Sequence, residues 1–402
     1  MILKLAWRNI WRNKRRTWIL ISAVTVGIFG LFFFLTITQG AVKQAIQNII
    51  DSGVGHIQIH KAGYLKDPEV KKFIKDPDQI IKKIKSPLMK IISKRVNLQG
   101  VIYSPTETSP VQAIGGELGK EKLLTRLDDF IIKGHFPQNE TEILIGSELA
   151  ETLEVGLDDK VVISSADITG ELSSYAFRIG GIFKSPSKEI NKYLVMIDIN
   201  AASKIAGYNN MANEIIIRLK EDKALPSVLE NIKQKIDSNF EVLSWGDVYP
   251  ALKYQFEIFN EMMFIFGFII LLGATFGIMN VFFMSIYERM REFGVIRAIG
   301  VKPIELGKLI ILEGLLIGLV SIFISSILCF ILYIYLSIKG LNLSIFSRSL
   351  EIWGTGAIIY PSIDLPSIMI LIFLVLLIIL ISVLIPARKA SKIVIAEALK
   401  YV

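Results

Sequence analysis

Two groups of side chains have types that could do chemistry, and their spacing argues against each. His56, Gln58 and His60 alternate on one side of a β-type run. Residues four apart along a strand lie about 13 Å apart, whereas both rings of a metal site must approach one ion to about 2 Å. The trio therefore reads as a polar strand face, and no metal ligand set is assigned. Gly115, Gly116, Glu117, Leu118, Gly119 and Lys120 resemble part of a phosphate loop, but the pattern G-x-x-x-x-G-K-[ST] requires Gly and Ser or Thr where the chain has Ile114 and Glu121. The sequence contains no Gly-x-Ser-x-Gly, no His-Glu-x-x-His and no Cys/His nucleophile pair. It is expected to catalyse nothing itself and to bind no cofactor. Gly180 and Gly181 interrupt an apolar run and predict a bulge or a close backbone approach.

The elements that hold these groups follow from hydropathy. Of 402 residues, 52% are hydrophobic and 20% charged, outside the range of ordinary soluble domains. Four windows lack Asp, Glu, Lys and Arg: Thr17 to Val42, Met262 to Tyr287, Gly314 to Ile338 and Leu365 to Ala387. About 20 apolar residues cross a bilayer core as a helix, so spans are predicted at 17–40, 259–287, 309–338 and 365–387. The first apolar run, Trp18 to Thr38, is too long for the ~7–15-residue core of a cleaved signal. Polar residues of the spans (Ser22, Thr25, Asn280, Ser285, Ser321, Ser325, Ser326, Ser382) predict hydrogen bonds between helices. No ionisable group is expected at depth, so no ion-driven pathway is expected either.

Charge orients the spans. Residues 1–16, the segment between spans two and three, and the end beyond span four hold fifteen basic and four acidic residues, whereas residues 41–258 hold 28 basic and 29 acidic ones. Basic short segments stay cytoplasmic while long loops cross. Both termini and the 288–308 loop are thus expected on the cytoplasmic side of the membrane, with residues 41–258 and 339–364 outside and 388–402 as a cytoplasmic tail. The formal charge of +8 marks topology and membrane lipid contact; no nucleic-acid motif accompanies it. Residues 1–16 read as an interfacial amphipathic helix, with Trp7 and Trp11 beside Arg8 and Arg12. The one cysteine, Cys329, falls in the third span, so the external domain has no disulfide.

That domain is predicted to be α+β, in two lobes. Strands are expected near 55–60, 96–103, 111–114, 161–165, 176–183, 193–197, 214–219 and 240–244. Helices are expected near 78–84, 120–132, 147–153, 201–206 and 226–236, with Ser147 and Asp198 as N-caps. Residues 61–87 read as a surface linker. Helical periodicity over 40–50 and 247–261 predicts stalks that continue the first two spans outward.

The most informative stretch is Glu288 to Pro303. Glu288 pairs with Arg291 and Arg289 with Glu292 at i,i+3 spacing, Gly300 suits a left-handed stop, and Pro303 opens the next helix. Phe293, Ile296 and Gly300 are predicted to share a face that projects as an apolar ridge. From the residues alone this ridge suits either a groove on another protein or the membrane surface.

Tyr287 to Ser321, reading YERMREFGVIRAIGVKPIELGKLIILEGLLIGLVS, resembles the permease signature of the ABC exporters related to the macrolide exporter, the lipoprotein-releasing permeases and the cell-division permease. LAWRNIWRNKRRT at Leu5 to Thr17 and PARKASKIVIAEALKY at Pro386 to Tyr401 are similar too, and IGSELAETLEVGLDDKVVISSA with FRIGGIF resembles the family's extracytoplasmic core domain. The resemblance implies an α-helical membrane protein with four spans and an α+β domain inserted between the first two. It also implies a second permease subunit and separate cytoplasmic ABC ATPase subunits that bind ATP and Mg2+. By position, Glu288, Arg289, Glu292, Phe293, Gly294, Ile296, Arg297 and Gly300 would form the element that couples to the ATPase. The bare four-span layout and the size of the external segment are most similar to a lipoprotein-releasing permease, implying lipoprotein cargo and a periplasmic carrier. A carrier-docking hairpin would map to Ile168, Thr169, Gly170 and Glu171, although the stretch is short and lacks the Pro-rich tip of the carrier-recruiting subunit. Efflux of drugs or peptides, and control of an external cell-wall hydrolase, are the alternatives within the resemblance.

Overall fold

The computed structural model describes residues 2–185, 188–346 and 356–392. It divides into two compact units, Met1–Gln44 with Phe256–Val402, and Ala45–Gln255.

The first unit is helical: α1 (Ile2–Arg12), most of α2 (Lys14–Ile49), most of α10 (Pro250–Tyr287), α11 (Met290–Ala298), α12 (Pro303–Lys339) and α13 (Leu365–Ser391). The shortest of the four long apolar helices, α13, has 27 residues. At 1.5 Å per residue it measures about 40 Å and exceeds the ~30 Å hydrocarbon core. Short strands β13 (Leu341–Asn342) and β14 (Ile358–Ile359) pair between α12 and α13.

Small residues bring these helices together. Gly314, Gly318, Ser321 and Ser325 recur at helical spacing on α12 and are buried. A Cβ on Gly314 would overlap Val383, and one on Gly318 would lie 2.8 Å from Ile379, both on α13. Close approach replaces the hydrophobic drive that lipid removes. Ser382 Oγ donates to the Thr275 carbonyl of α10 at 3.2 Å, whereas Ser321 Oγ lies 2.8 Å from the Ile317 carbonyl of its own helix and 3.4 Å from the Ile21 carbonyl of α2. Ser22, Ser325 and Ser326 instead bond carbonyls of their own helices. One expectation fails: Glu313 lies in α12 within the expected third span and is 7% exposed. The charge-free window starts one residue later, which hid it.

The second unit carries a mixed sheet. Its strands in chain order are β1 (Ile57–Lys61), β2 (Ile74–Lys75), β3 (Met89–Tyr103), β4 (Thr108–Gly116), β5 (Ile131–Gly134), β6 (Glu142–Gly146), β7 (Lys160–Ala166), β8 (Leu172–Phe183), β9 (Leu194–Asp198), β10 (Met211–Ala212), β11 (Glu214–Leu219) and β12 (Phe240–Ser244). Its helices are α3 (Pro77–Ile84), α4 (Leu118–Thr125), α5 (Ser147–Thr152), α6 (Lys188–Tyr193), α7 (Ile199–Ala206), α8 (Leu225–Lys235) and α9 (Trp245–Val248). The main sheet runs β12-β1-β11-β3-β4-β9-β6-β8-β5, with β7 bridging β3 and β8; β4–β9 and β6–β8 are parallel. The two expected lobes thus share one sheet, with separate apolar clusters around α7 and α5 and around α3 and α8.

Several local expectations change. The helix expected over 120–132 stops at Thr125 because Arg126 turns left-handed (φ 50°), and Ile131 instead joins β5 against β8. Within 61–87, Tyr64 and Ile74 are buried and α3 packs its apolar side inward, so this stretch is no surface linker. Ser147 is the first residue of α5, not its cap, whereas the Asp198 carboxylate accepts the Asn200 N–H at 2.8 Å. The β6–β8 register shifts opposite Gly180. The histidine trio is buried: His56 meets Asp222 at 3.0 Å, and His60 meets Gln58 at 3.0 Å and the Asn213 carbonyl at 3.2 Å. Among the described residues no cluster suited to a metal ion is found.

Within this unit the chain leaves and re-enters side by side. β1, which follows the end of α2, pairs with β12, which precedes α9 and α10, and Ile57 stands opposite Ser244. The stalk expected from residue 247 is interrupted at Tyr249, where α9 ends and Pro250 opens α10. Beyond Ile49 a π-helical turn, Ile50–Val54, is tied to the sheet. Arg95 Nη1 donates to the Gly53 carbonyl at 2.7 Å, and its Nη2 and Nε donate to Glu121 at 2.7 and 3.0 Å. Asp51 accepts from Arg218 at 2.5 Å.

Candidate functional site

The sequence points to residues 288–303, and the first unit shows how they are held. α10 ends at Tyr287 and α11 begins at Met290, so Glu288 and Arg289 form a two-residue junction. Arg289 is out of helical geometry (φ −108°, ψ 9°). At the other end Gly300 has φ 100°, a conformation that favours glycine, and Lys302 and Glu305 cap α12 behind Pro303.

The face of α11 that points outward is opposite to the one expected. Phe293 is 1% exposed, inside an apolar cluster with Ile10, Leu20, Phe282, Ile286 and Ile310, while Ile296 packs partly against that cluster and Gly294 is buried. Arg291, Val295, Ala298 and Ile299 face outward, with Ile299 77% exposed. The i, i+4, i+7, i+8 spacing puts them on one stripe. Phe293 carries more apolar area than Val295, so turning it inward gains more at about 25 cal/mol per Å². Arg289 also points in rather than toward a partner.

Arg289 is buried under charge pairing. Its Nη1 donates to Glu313 at 2.5 Å, its Nε to Glu292 at 3.2 Å, and its guanidinium lies 4.8 Å from the Phe293 ring centre. Burial pushes the Glu292 carboxyl up, but hydrogen bonds from Arg289 and Arg12 outweigh it and hold the group below its ordinary value. Glu288 is exposed, and Arg297 is half-buried and donates to the Val301 carbonyl at 3.0 Å. Residue-type reasoning missed Glu313 and Asn9, whose amide donates to Glu313 at 2.7 Å. The signal was present as one carboxylate at the edge of an apolar window.

The amphipathic helix expected near the start of the chain forms as α1. α1 stops at Arg12, and Thr17 closes the break by donating to the Ile10 carbonyl. Its buried side is Ala6 and Ile10, not the tryptophans; Trp7 is 46% exposed and meets Trp11 edge-on. Arg8 is exposed, whereas Arg12 pairs with Glu292. Packing of α1 on α12 selects that side.

In the second unit the hairpin at 167–171 is tight. Asp167 Oδ1 accepts the N–H groups of Thr169 and Glu171 at 2.7 and 3.0 Å. Thr169, Gly170 and Glu171 are exposed, and Ile168 is half-buried against the core. Of the terminal Pro386 to Tyr401 pattern, residues 393 onward lie outside the described residues.

A four-helix membrane unit with a short amphipathic helix between its second and third spans, and a mixed α/β domain after the first, matches two known families. The MacB-like periplasmic core domain matches residues 17–235, and the FtsX-like permease C-terminal domain matches residues 264–395. The chain belongs to the ABC transporter permeases of the MacB/FtsX type. The permease is 25% identical to the lipoprotein-releasing system transmembrane protein LolC of Buchnera aphidicola, over 87% of each chain. It is 21% identical to LolC of Neisseria meningitidis, over 96% of this chain and 94% of that one. The crystal structure of the periplasmic region of MacB from Actinobacillus actinomycetemcomitans aligns over 52% of the permease and 97% of that region, with a TM-score of 0.38 and 10% identity. The LolC relatives are membrane permease subunits, not ATPases.

Proposed function

We propose that this permease couples ATP hydrolysis by a separate cytoplasmic ATPase to the extraction of lipid-anchored proteins from the inner membrane, for transfer to a periplasmic carrier. Both chain ends and α11 would be cytoplasmic and the second unit external, as the charge distribution favours. ATP and Mg2+ would be held by the partner, and a second permease subunit would complete the assembly.

One observation supports coupling most directly. α11 is anchored on one side by Phe293 and Arg289 and offers Arg291, Val295, Ala298 and Ile299 on the other. An apolar stripe beside a charge fits a groove on a protein. The coupling surface is therefore assigned to that stripe, with Phe293, Gly294 and Ile296 as its support. Lipoprotein cargo is favoured by the near full-length likeness to LolC proteins. Work is needed because each acyl chain withdrawn from lipid costs on the order of 10 kcal/mol at ~0.8 kcal/mol per CH2. The short hairpin at 167–171 favours the role of the subunit that does not recruit the carrier.

The test is depletion of the protein followed by measurement of acylated proteins retained in the inner membrane. Accumulation there supports lipoprotein release; an unchanged distribution refutes it.

A further inference from the structure

We propose that Glu313 is the positioning residue of α11, and that movement of α11 is handed to α12 and α1 through its carboxylate as well as along the backbone into α10. The proposal rests on α11 being the coupling helix.

The backbone alone leaves α11 loosely oriented. It is joined to α10 by the non-helical Arg289 and to α12 by a turn containing Gly300 at φ 100°. Side chains supply what the junctions lack, in a ring of polar contacts that begins and ends on α1. Asn9 donates to Glu313 at 2.7 Å; Arg289 Nη1 donates to the other oxygen of Glu313 at 2.5 Å; Arg289 Nε donates to Glu292 at 3.2 Å; and Arg12 donates to Glu292. The ring therefore closes through α1, α12, the α10–α11 junction and α11.

Glu313 is the member on which this ring depends. It and Arg289 are 9% and 7% exposed at their side chains, so water screens neither. A second guanidinium, Arg16, lines the same small cavity, and its Nε is buried without a partner. One interior carboxylate thus faces two cations. Taking its charge away leaves Arg289 with Glu292 alone in a poorly solvated place, close to the costly way of breaking a buried pair, while Arg16 keeps the charges of Glu288 and Glu292 nearby. Exchange of Arg289 and Glu313 together for apolar residues removes the burden and should leave the fold intact, yet it also opens the ring. Position and stability can therefore be read separately.

The experiment uses the full-length chain with Cys329→Ser, in bilayer nanodiscs, with spin-labelled cysteines at Leu5 on α1 and Ile299 beyond α11, both exposed. With the ring intact the two labels should give one narrow distance distribution. In Glu313→Gln, and equally in the folded Arg289→Met/Glu313→Leu double variant, the original distance should fall about tenfold in population against new ones, as the loss of ~1.4 kcal/mol or more requires. If Glu313→Gln does not fold, the double variant carries the test alone. A wild-type distribution in the folded variants overturns the proposal. Co-purification of a co-expressed ATPase, measured separately with Val295→Asp, tests the coupling reading itself. Failure to co-purify any ATPase with the wild-type chain would remove that reading without changing the distance result.

Discussion

Glu121→Ala should detach the π-helical turn at Ile50–Val54 from the sheet of the second unit. The Glu121 carboxylate is 0% exposed and accepts Arg95 Nη2 at 2.7 Å, Arg95 Nε at 3.0 Å and Ser93 Oγ at 2.7 Å. Arg95 is itself 3% exposed and donates onward to the Gly53 carbonyl. Removing the acid leaves an uncompensated buried guanidinium, which costs about 3–5 kcal/mol. If that cost appears as local opening, amide exchange should rise by roughly 100- to 1000-fold or more, at tenfold per 1.4 kcal/mol. Hydrogen exchange with mass spectrometry on the full-length chain reads this in peptides covering 50–55 and 89–97. The reasoning also requires Arg95→Met/Glu121→Leu to stay near wild-type protection across the sheet, because paired apolar replacement removes both desolvated charges. Unchanged exchange in Glu121→Ala would refute the account.

Phe293→Ala should lower the yield of folded permease, since emptying a fully buried aromatic site costs about 3–5 kcal/mol; thermal stability in detergent measures it. Ile299→Asp should leave that stability unchanged and abolish ATPase co-purification, because Ile299 is 77% exposed. Gly318→Leu should separate α12 from α13, where Ile379 leaves no room for a side chain; a cysteine pair placed across these helices should lose its cross-link. Because the Glu292 carboxyl is held below its ordinary value of 4.5, its folded pKa is depressed. Its stabilising contribution is then complete above pH 4.5 and disappears as pH falls through the lower folded value. A label pair on α1 and α11 should stay narrow at neutral pH and broaden only in strong acid.

The helix boundaries around the candidate site were legible from residue types. Gly300 and Pro303 marked the end of one helix and the start of the next because each imposes a backbone conformation regardless of surroundings. Which side of α11 faces out was not legible. A nine-residue helix with Phe293 and Ile296 on one side and Val295, continued by Ile299 just past its end, on the other has two apolar sides, so periodicity cannot choose between them. On α1, likewise, only packing showed that Ala6 and Ile10 meet α12 while Trp7 stays exposed, small and branched side chains allowing the close approach.

The amino-acid sequence by itself determined four membrane-crossing helices and a mixed α/β insert. Lengths of uncharged apolar chain and the periods of 3.6 and 2 are local properties, and local properties are written in order along the chain. Only the tertiary structure decided that Glu313, Arg289, Asn9, Glu292 and Arg12 form one ring, buried at Glu313 and Arg289, and that Arg95 ties Gly53 to Glu121. Those partners are separated by up to 304 residues in sequence. Their pairing follows from which helix faces and strands pack together, and a buried charge must find its partner wherever that packing places one.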